Sequence, residues 1–200
     1  MIKLPKECVV DKFIPKKVFY EKINLSSNLK QEFIDKIDKI YWKYKISEDT
    51  INISKTENVE EIEIFEITLK EKADCKNIIK VIAKNIPYMI LFKICYNDEV
   101  QYAIKYDEDI YSTNWNEKID FNFEGIDLNT VYENIVRSVT NISKQDNNID
   151  QELEKSKQLK KLQKEIERLE NKIKLEKQFN KKVELNLELN RIKNELEELK

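Results

Sequence analysis

The stretch VEEIEIFEITLK, residues 59–70, alternates apolar and charged side chains over most of its length. Alternation with a period of two is typical of a β-strand that buries one of its faces. The alternation changes phase between Ile64 and Phe65, which predicts either a bulge or burial on both faces at that point. Because 40% of the chain is hydrophobic, we expect this strand to belong to a sheet with its own core.

The elements around this strand predict an α+β domain, with helices packed on a mostly antiparallel sheet. YMILFKICY (88–96) and EVQYAIKY (99–106) flank a two-residue turn, which is typical of a β-hairpin, and the first is apolar enough to be the central strand. A helix predicted at 74–86 precedes this hairpin, which indicates a split βαβ core over 59–106. The remaining predicted elements are a helix at 28–45, strands at 50–54, 110–113 and 119–123, and a helix at 128–140.

Apolar residues recur at intervals of three and four through the last quarter of the chain. Lys and Glu fill most of the positions between them, so the apolar residues form a narrow seam on a charged helix. Such a seam is typical of a helix that packs against another helix, as in a coiled coil. The seam residues are Leu159, Leu162, Ile166, Leu169, Ile173, Leu185, Leu189, Ile192, Leu196 and Leu199.

The two halves of this seam are out of phase. Ile173 and Leu189 hold equivalent heptad positions, but on one straight helix the second would be rotated by roughly 160° from the first. Either the tail is one continuous or kinked helix, or the chain reverses within 174–184 to form a helical hairpin. The lack of Gly and Pro at the junction, and an apolar stripe that runs through it, favour the continuous helix. The stripe consists of Leu175, Phe179, Val183 and Leu187.

These patterns predict three segments: a globular α+β domain at 1–140, a polar linker at 141–150 and a coiled-coil tail at 151–200. The seam predicts a homo-oligomer, or a helical partner protein, that associates through the tail. No apolar run approaches the ~18–20 residues of a membrane span, and the first residues lack the apolar core of a secretory signal. We therefore expect a cytoplasmic protein without membrane contact.

The residue types that the chain lacks argue against several classes of enzyme. It contains no histidine and one glycine. Without histidine, Ser-His and Cys-His catalysis and the usual zinc sites are excluded. With one glycine, the glycine-rich loops that bind nucleotide phosphates are excluded. Three scattered cysteines, Cys8, Cys75 and Cys95, are expected to be reduced thiols, and neither a cofactor nor a metal is predicted.

One enzymatic alternative rests on the strand at 59–70. Glu61, Glu63 and Glu66, followed by Lys70, supply the residue types of a Mg²⁺-dependent nuclease, with carboxylates for the metal and a lysine near the phosphate. The other interpretation is that these glutamates form the solvated face of an antiparallel strand. Because no clean acid-x-Lys signature is present, the solvated face is favoured and no catalytic residue is predicted.

A basic stretch in the tail indicates a second alternative. Residues 155–182 carry 11 basic and 4 acidic side chains, a surplus that suits binding to a phosphate backbone. The other interpretation is the solvated face of a coiled coil. The candidate nucleic-acid-binding residues are Lys160, Lys161, Lys164, Lys181 and Lys182.

Short motifs occur along almost the whole chain and form a distinctive combination. They are Leu4-Pro5-Lys6, IPKKVFY (14–20), WKYKIS (42–47), TINI (50–53), EIEIFEITLKEK (61–72), IPYMILF (86–92), YSTNW (111–115), LNTVYENIVR (128–137) and EKQFNKKVELN (176–186). Together they resemble the bacterial family known as domain of unknown function 4391. The resemblance supplies no catalytic residues, and it implies genes that lie among helicases and DNA methyltransferases of restriction-type defence loci.

The combined prediction is a non-enzymatic accessory or assembly subunit with a coiled-coil interaction arm. The resemblance implies that it works in a bacterial DNA-directed defence system, in which a helicase or methyltransferase complex is a possible partner. The two alternatives are a Mg²⁺-dependent nuclease that uses the strand carboxylates and a nucleic-acid-binding adaptor that uses the basic tail.

Overall fold

The computed structural model describes residues 2–22, 25–142 and 148–199. The chain divides into two compact units, Met1–Asn141 and Ile142–Lys200. Half of the linker predicted at 141–150, residues 143–147, lies outside the described residues. Within the described part of the chain, no helix is both long and apolar enough to cross a membrane.

The first unit is built on a six-stranded sheet whose strands follow one another in chain order. Four of the five strand pairs are antiparallel, and β3 and β4 are parallel. The strands are β1 (Val9–Phe13), β2 (Ile37–Ser47), β3 (Glu61–Leu69), β4 (Met89–Tyr96), β5 (Glu99–Tyr106) and β6 (Asp109–Ser112). The predicted α+β class with a mostly antiparallel sheet is confirmed.

Helices connect these strands and cover the sheet on both faces. A short 3₁₀ helix, Lys6–Cys8, precedes β1. The α-helices of the first unit are α1 (Lys17–Lys22), α2 (Ser27–Lys36), α3 (Glu48–Ile51), α4 (Lys76–Asn85) and α5 (Leu128–Thr140). Those of the second unit are α6 (Ile149–Leu175) and α7 (Phe179–Leu199).

One face of the sheet packs against α2 and α4. Phe33 of α2 and Ile82 of α4 are fully buried with Phe65 and Phe92 of the two parallel strands in a single core cluster. Because α4 links β3 to β4 and those strands are direct neighbours, the unit is a βαβ motif without the intervening strand of the predicted split form. A parallel pair needs such a crossover, so α4 is fixed in place by the sheet order.

The opposite face packs against α5, which lies over β3, β5 and β6. The side chain of Asp127 caps this helix by accepting a hydrogen bond from the Thr130 backbone N–H at 2.8 Å. The only glycine, Gly125, precedes the cap where a Cβ atom would lie 2.9 Å from the Val131 backbone nitrogen. The helix predicted at 128–140 is confirmed, and one of its faces is buried: Leu128, Val131, Tyr132, Ile135, Val136 and Val139.

The helix predicted at 28–45 is wrong in its second half. It ends at Lys36, and the chain continues directly into β2, the longest strand of the sheet. The apolar spacing up to Ile40 fits a helix, but from Ile40 onward Trp42, Tyr44 and Ile46 recur at every second position. β-Branched and aromatic residues with this period favour a strand, and nine residue pairs with β3 fix it.

The phase change at Ile64 and Phe65 reflects the second of the predicted causes, burial on both faces. Both residues are buried although they point to opposite faces. The register between β2 and β3 shifts between Trp42 and Tyr44, so the bulge lies in β2, opposite the phase change. The Trp42 indole N–H spans this bulge by donating to the Tyr44 carbonyl at 3.0 Å.

Other predicted elements have mixed outcomes. The helix at 74–86, the hairpin at 88–106 and the strand at 110–113 are confirmed within a few residues. The strand at 50–54 is wrong, since α3 occupies part of it and Ser54 forms only a single bridge to Asp127. The strand at 119–123 is also wrong, because this segment is irregular. β4 shares the centre of the sheet with β3, so it is not the single central strand.

The second unit is a helical hairpin, so the favoured continuous helix is wrong. Leu175 ends α6, Glu176 has extended backbone angles, and Phe179 begins α7. The Glu176 carboxylate accepts hydrogen bonds from the backbone N–H groups of Lys177 and Gln178, each at 2.8 Å. In a continuous helix these N–H groups would donate to backbone carbonyls. The Glu176 carboxylate takes the place of those carbonyls, so the turn forms without glycine or proline.

Candidate functional site

The three strand glutamates do not converge. Glu61 and Glu63 lie two residues apart on one face of β3, whereas Glu66 lies on the opposite face. Glu61 forms an ion pair with Lys45 at 2.7 Å, and Glu66 forms one with Lys93 at 2.7 Å. Among the described residues, no group of three or more Cys, Asp or Glu side chains is arranged to hold a metal ion.

The fourth candidate of the nuclease alternative, Lys70, is also committed elsewhere. It lies just beyond the end of β3, and its ammonium group donates to the Ile34 carbonyl at 2.7 Å. This bond ties the end of the strand to α2. The ammonium group of Lys70 is therefore bonded to α2 and not to the strand glutamates.

Glu63 is the one strand carboxylate that lies inside the protein. Its side chain is 5% exposed, which differs from the solvated face expected from the sequence. Burial and, to a smaller extent, the neighbouring Glu61 raise the pKa of Glu63 to about 7 against the opposing effect of Lys45. Within the described residues its carboxylate accepts no hydrogen bond, so Glu63 changes charge near neutral pH inside an apolar sheet.

A cleft of about 460 Å³ lies on the face of the sheet that carries Glu66. The Glu66–Lys93 ion pair forms part of its wall, beside the rings of Tyr44 and Tyr102. Hydrogen bonding to Glu66 raises the pKa of Lys93 against the opposing effect of its burial, so this lysine stays charged. Sequence reasoning missed the site, although a single lysine within the apolar strand YMILFKICY was a signal for it.

A second cavity of about 350 Å³, which we call the tyrosine pocket, lies where β4 begins and β5 ends. Tyr88 and Tyr106 line it, and Asp107 and Glu108, both exposed, lie at the turn into β6. The ring of Tyr106 stacks on that of Tyr132 with centroids 6.1 Å apart. The Tyr132 hydroxyl donates to the Lys105 carbonyl, which holds this wall of the pocket to the end of β5.

The predicted seam is used within one chain. Leu169 of α6 and Leu189 and Ile192 of α7 form a buried cluster. An ion pair between Glu170 and Lys193 at 2.9 Å lies beside it. All seam residues from Leu159 to Leu199 are buried or half-buried. The antiparallel packing of α6 on α7 therefore covers much of the seam within one chain.

The apolar stripe noted at the junction is not buried by the packing of α6 on α7. Leu175 is 81% exposed, Phe179 79%, Val183 43% and Leu187 67%. At about 100° per residue, Val183 lies roughly 160° around α7 from the seam residue Leu185. Phe179, Val183 and Leu187 thus form a second apolar line on the back of α7, while Leu175 lies at the end of α6. We call these residues, Leu175, Phe179, Val183 and Leu187, the tip stripe.

Lysines surround the start of this stripe. Residues 172–182 contain five lysines and one acidic residue, Glu176, and all five lysines are exposed. The five lysines predicted to bind nucleic acid, which include Lys181 and Lys182 of this segment, are likewise exposed and form no ion pair with the described residues. These predicted nucleic-acid-binding residues are Lys160, Lys161, Lys164, Lys181 and Lys182. The hairpin therefore presents an apolar and strongly basic end.

Comparison with known proteins gives a family. The family described as domain of unknown function (DUF4391) matches residues 2–196, nearly the whole chain. The chain therefore belongs to this family, and the resemblance drawn from its motifs is confirmed. No curated protein and no solved structure gives a significant match.

The burial of Glu63 predicts a pH-dependent loss of stability. The folded protein holds a proton on Glu63 up to about pH 7, while the unfolded chain releases it near the ordinary pKa of 4.5. Because the folded state binds more protons between these values, the free energy of unfolding falls as pH rises through this interval. Urea unfolding from pH 5 to pH 8 should show this decline, and Glu63→Gln should reduce it. The exposed neighbour variant Glu60→Gln is the control, and an unchanged decline in Glu63→Gln would contradict the assignment.

Proposed function

We propose that this member of the family is a non-enzymatic assembly subunit, in which the helical hairpin is the arm that docks other protein surfaces. The tip stripe is the observation that carries the proposal. Large exposed apolar side chains that follow one face of a helix typically mark an interaction site. Recognition of a helix by residues at i, i+4 and i+8 is a common mode of protein docking.

The energetics favour docking through the tip stripe over docking through the seam. Full burial of a Leu, Val or Phe side chain contributes roughly 1.5–3 kcal/mol, and the tip stripe offers four such side chains in exposed or nearly exposed positions. Four seam residues, Leu169, Leu189, Ile192 and Leu196, have already gained this free energy by packing within the hairpin, and the other six are half-buried there. A partner that binds through the seam would first have to open the hairpin.

The placement of the carboxylates gives the nuclease alternative no support. Catalysis by metal ions needs ligands that converge on one point, whereas Glu63 and Glu66 lie on opposite faces of the sheet. Glu61 and Glu66 are each neutralised by a lysine. The proposed setting is the cytoplasm, within the type of DNA-directed defence system that the family resemblance implies.

A nucleic-acid-binding adaptor is the second candidate, and the exposed lysines of the hairpin favour it. Lys160, Lys161 and Lys164 on α6 and Lys181 and Lys182 on α7 are free to contact phosphates. The tip stripe favours a protein over a nucleic acid, since a phosphate backbone gains nothing from exposed Leu and Val side chains.

Removal of the tip stripe should abolish capture of partner proteins. In the organism that encodes the chain, affinity purification of the full chain should retain specific proteins that Phe179→Ser combined with Leu187→Ser loses. Asn180→Ser combined with Asn186→Ser, on the same helix, is the matched control and should retain them. Equal recovery with the stripe variant would contradict the proposal that the hairpin docks through this face.

The purified chain should leave DNA intact. Plasmid, linear and single-stranded DNA incubated with Mg²⁺ or Mn²⁺ should remain uncut, because no described carboxylate cluster holds a metal. Cleavage that Glu63→Gln or Glu66→Gln abolishes would restore the nuclease alternative. A salt-dependent shift of a DNA probe, lost when the five hairpin lysines are replaced by Gln, would favour the adaptor instead.

A further inference from the structure

We propose that the hairpin tip of one copy docks into the tyrosine pocket of a second copy, so that the protein assembles head to tail. This inference rests on the proposed docking role of the hairpin and names its partner. The two surfaces involved are both present on every copy, and their local net charges are opposite in sign.

The tip joins exposed apolar groups to positive charge. Leu175 and Phe179 stand on either side of the reversal and are the two most exposed residues of the tip stripe. Five lysines against one glutamate give residues 172–182 a net charge of +4. The reversal is held by the hydrogen bonds of Glu176, so the tip is ordered before it binds, which lowers the entropic cost of docking.

The tyrosine pocket has the complementary properties. Its volume of about 350 Å³ is near the lower end of the ~300–1,000 Å³ of ligand pockets, which suits one or two inserted side chains. Ile86, Met89 and the ring of Tyr88 supply apolar walls. Asp107 and Glu108 outnumber Lys105 among the charged residues that line it.

Charge and aromatic groups match across the proposed contact. Insertion of Phe179 between Tyr88 and Tyr106 would allow the edge-to-face contacts that aromatic rings prefer. The lysines that flank Phe179 would then lie near Asp107 and Glu108, and close to tyrosine rings that attract cations. At longer range, the first unit, residues 1–141, carries 25 acidic and 21 basic side chains, a net of −4, which would attract the tip of an approaching copy.

A contact between two different surfaces has a distinct consequence for assembly. Each copy would use its tip on one neighbour and its pocket on another, so the association is heterologous and continues into rings or open chains. A symmetric contact between two tip stripes would instead stop at a dimer. The size of the assembly and its response to paired variants therefore separate the two modes.

Sedimentation velocity on the full chain tests the proposal. At low salt the mass should rise with protein concentration beyond a dimer, and high salt should reduce it. Phe179→Ser in the tip should raise the dissociation constant by roughly tenfold or more, and so should Asp107→Asn combined with Glu108→Lys in the pocket. Asn suits position 107, because the backbone there has a φ of 51°, and all three residues are exposed, so folding should survive. Asn180→Ser is the matched control.

A mixture of the tip variant and the pocket variant is the decisive arm. Each variant keeps one intact half of the contact, so the mixture should form a one-to-one dimer and nothing larger. A chain that stays monomeric at every concentration would overturn the proposal, as would association that the pocket variant leaves unchanged. If these results coincide with stripe-dependent capture of other proteins, the docking role stands and only the partner assigned here is wrong.

Discussion

The reversal of the chain at Glu176 decides which apolar residues of the tail meet one another and which face solvent. A single helix of about 50 residues would expose both halves of the seam, and an isolated helix without tertiary contacts is only marginally stable. By folding back, α6 and α7 bury Leu169 against Leu189 and Ile192. The same reversal leaves the tip stripe outside, so one local feature both stabilises the hairpin and creates its exposed surface.

The first unit depends on a comparable constraint, the parallel pairing of β3 and β4. This pairing requires α4 as a crossover, and α4 covers the face that holds Phe65 and Phe92. The tyrosine pocket is formed where β4 enters and β5 leaves the sheet. Its position therefore follows from the strand order. Glu63 lies in β3, one of the two strands of this parallel pair, and burial in the sheet raises its pKa.

Much of the sheet was predictable because local and tertiary preferences agree there. VEEIEIFEITLK has a strand period and becomes β3, and the apolar stripe of 128–140 becomes the buried face of α5. The helix predicted through residues 37–45 is wrong because the helical spacing of α2 continues to Ile37 and Ile40. Pairing with β3 makes this segment a strand. That pairing joins residues far apart in sequence, and it selects the strand period of residues 40–46 over the helical spacing that precedes it.

The candidate site was less predictable, for physical reasons that differ between its parts. The sequence pattern allows the hairpin but favours a continuous helix, because the turn is held by the side chain of Glu176 and not by glycine or proline. The tip stripe was visible as a pattern, but only the fold shows that it stays outside the seam. Tyr88 and Asp107 come together at the pocket from separate strand ends, and nothing in their spacing indicates this.

A distance measurement within the tail distinguishes the hairpin from a continuous helix. Spin labels at Glu167→Cys and Asn194→Cys, both exposed positions, would be placed in a chain whose Cys8, Cys75 and Cys95 are replaced by Ala, and the labelled protein would be diluted with unlabelled protein. The hairpin brings these positions side by side on helices about 10 Å apart, so we expect a short interlabel distance, on the order of 20 Å once the label arms are included. A continuous helix would separate the two positions by about 40 Å, and a distance of that size would show that the tail does not fold back.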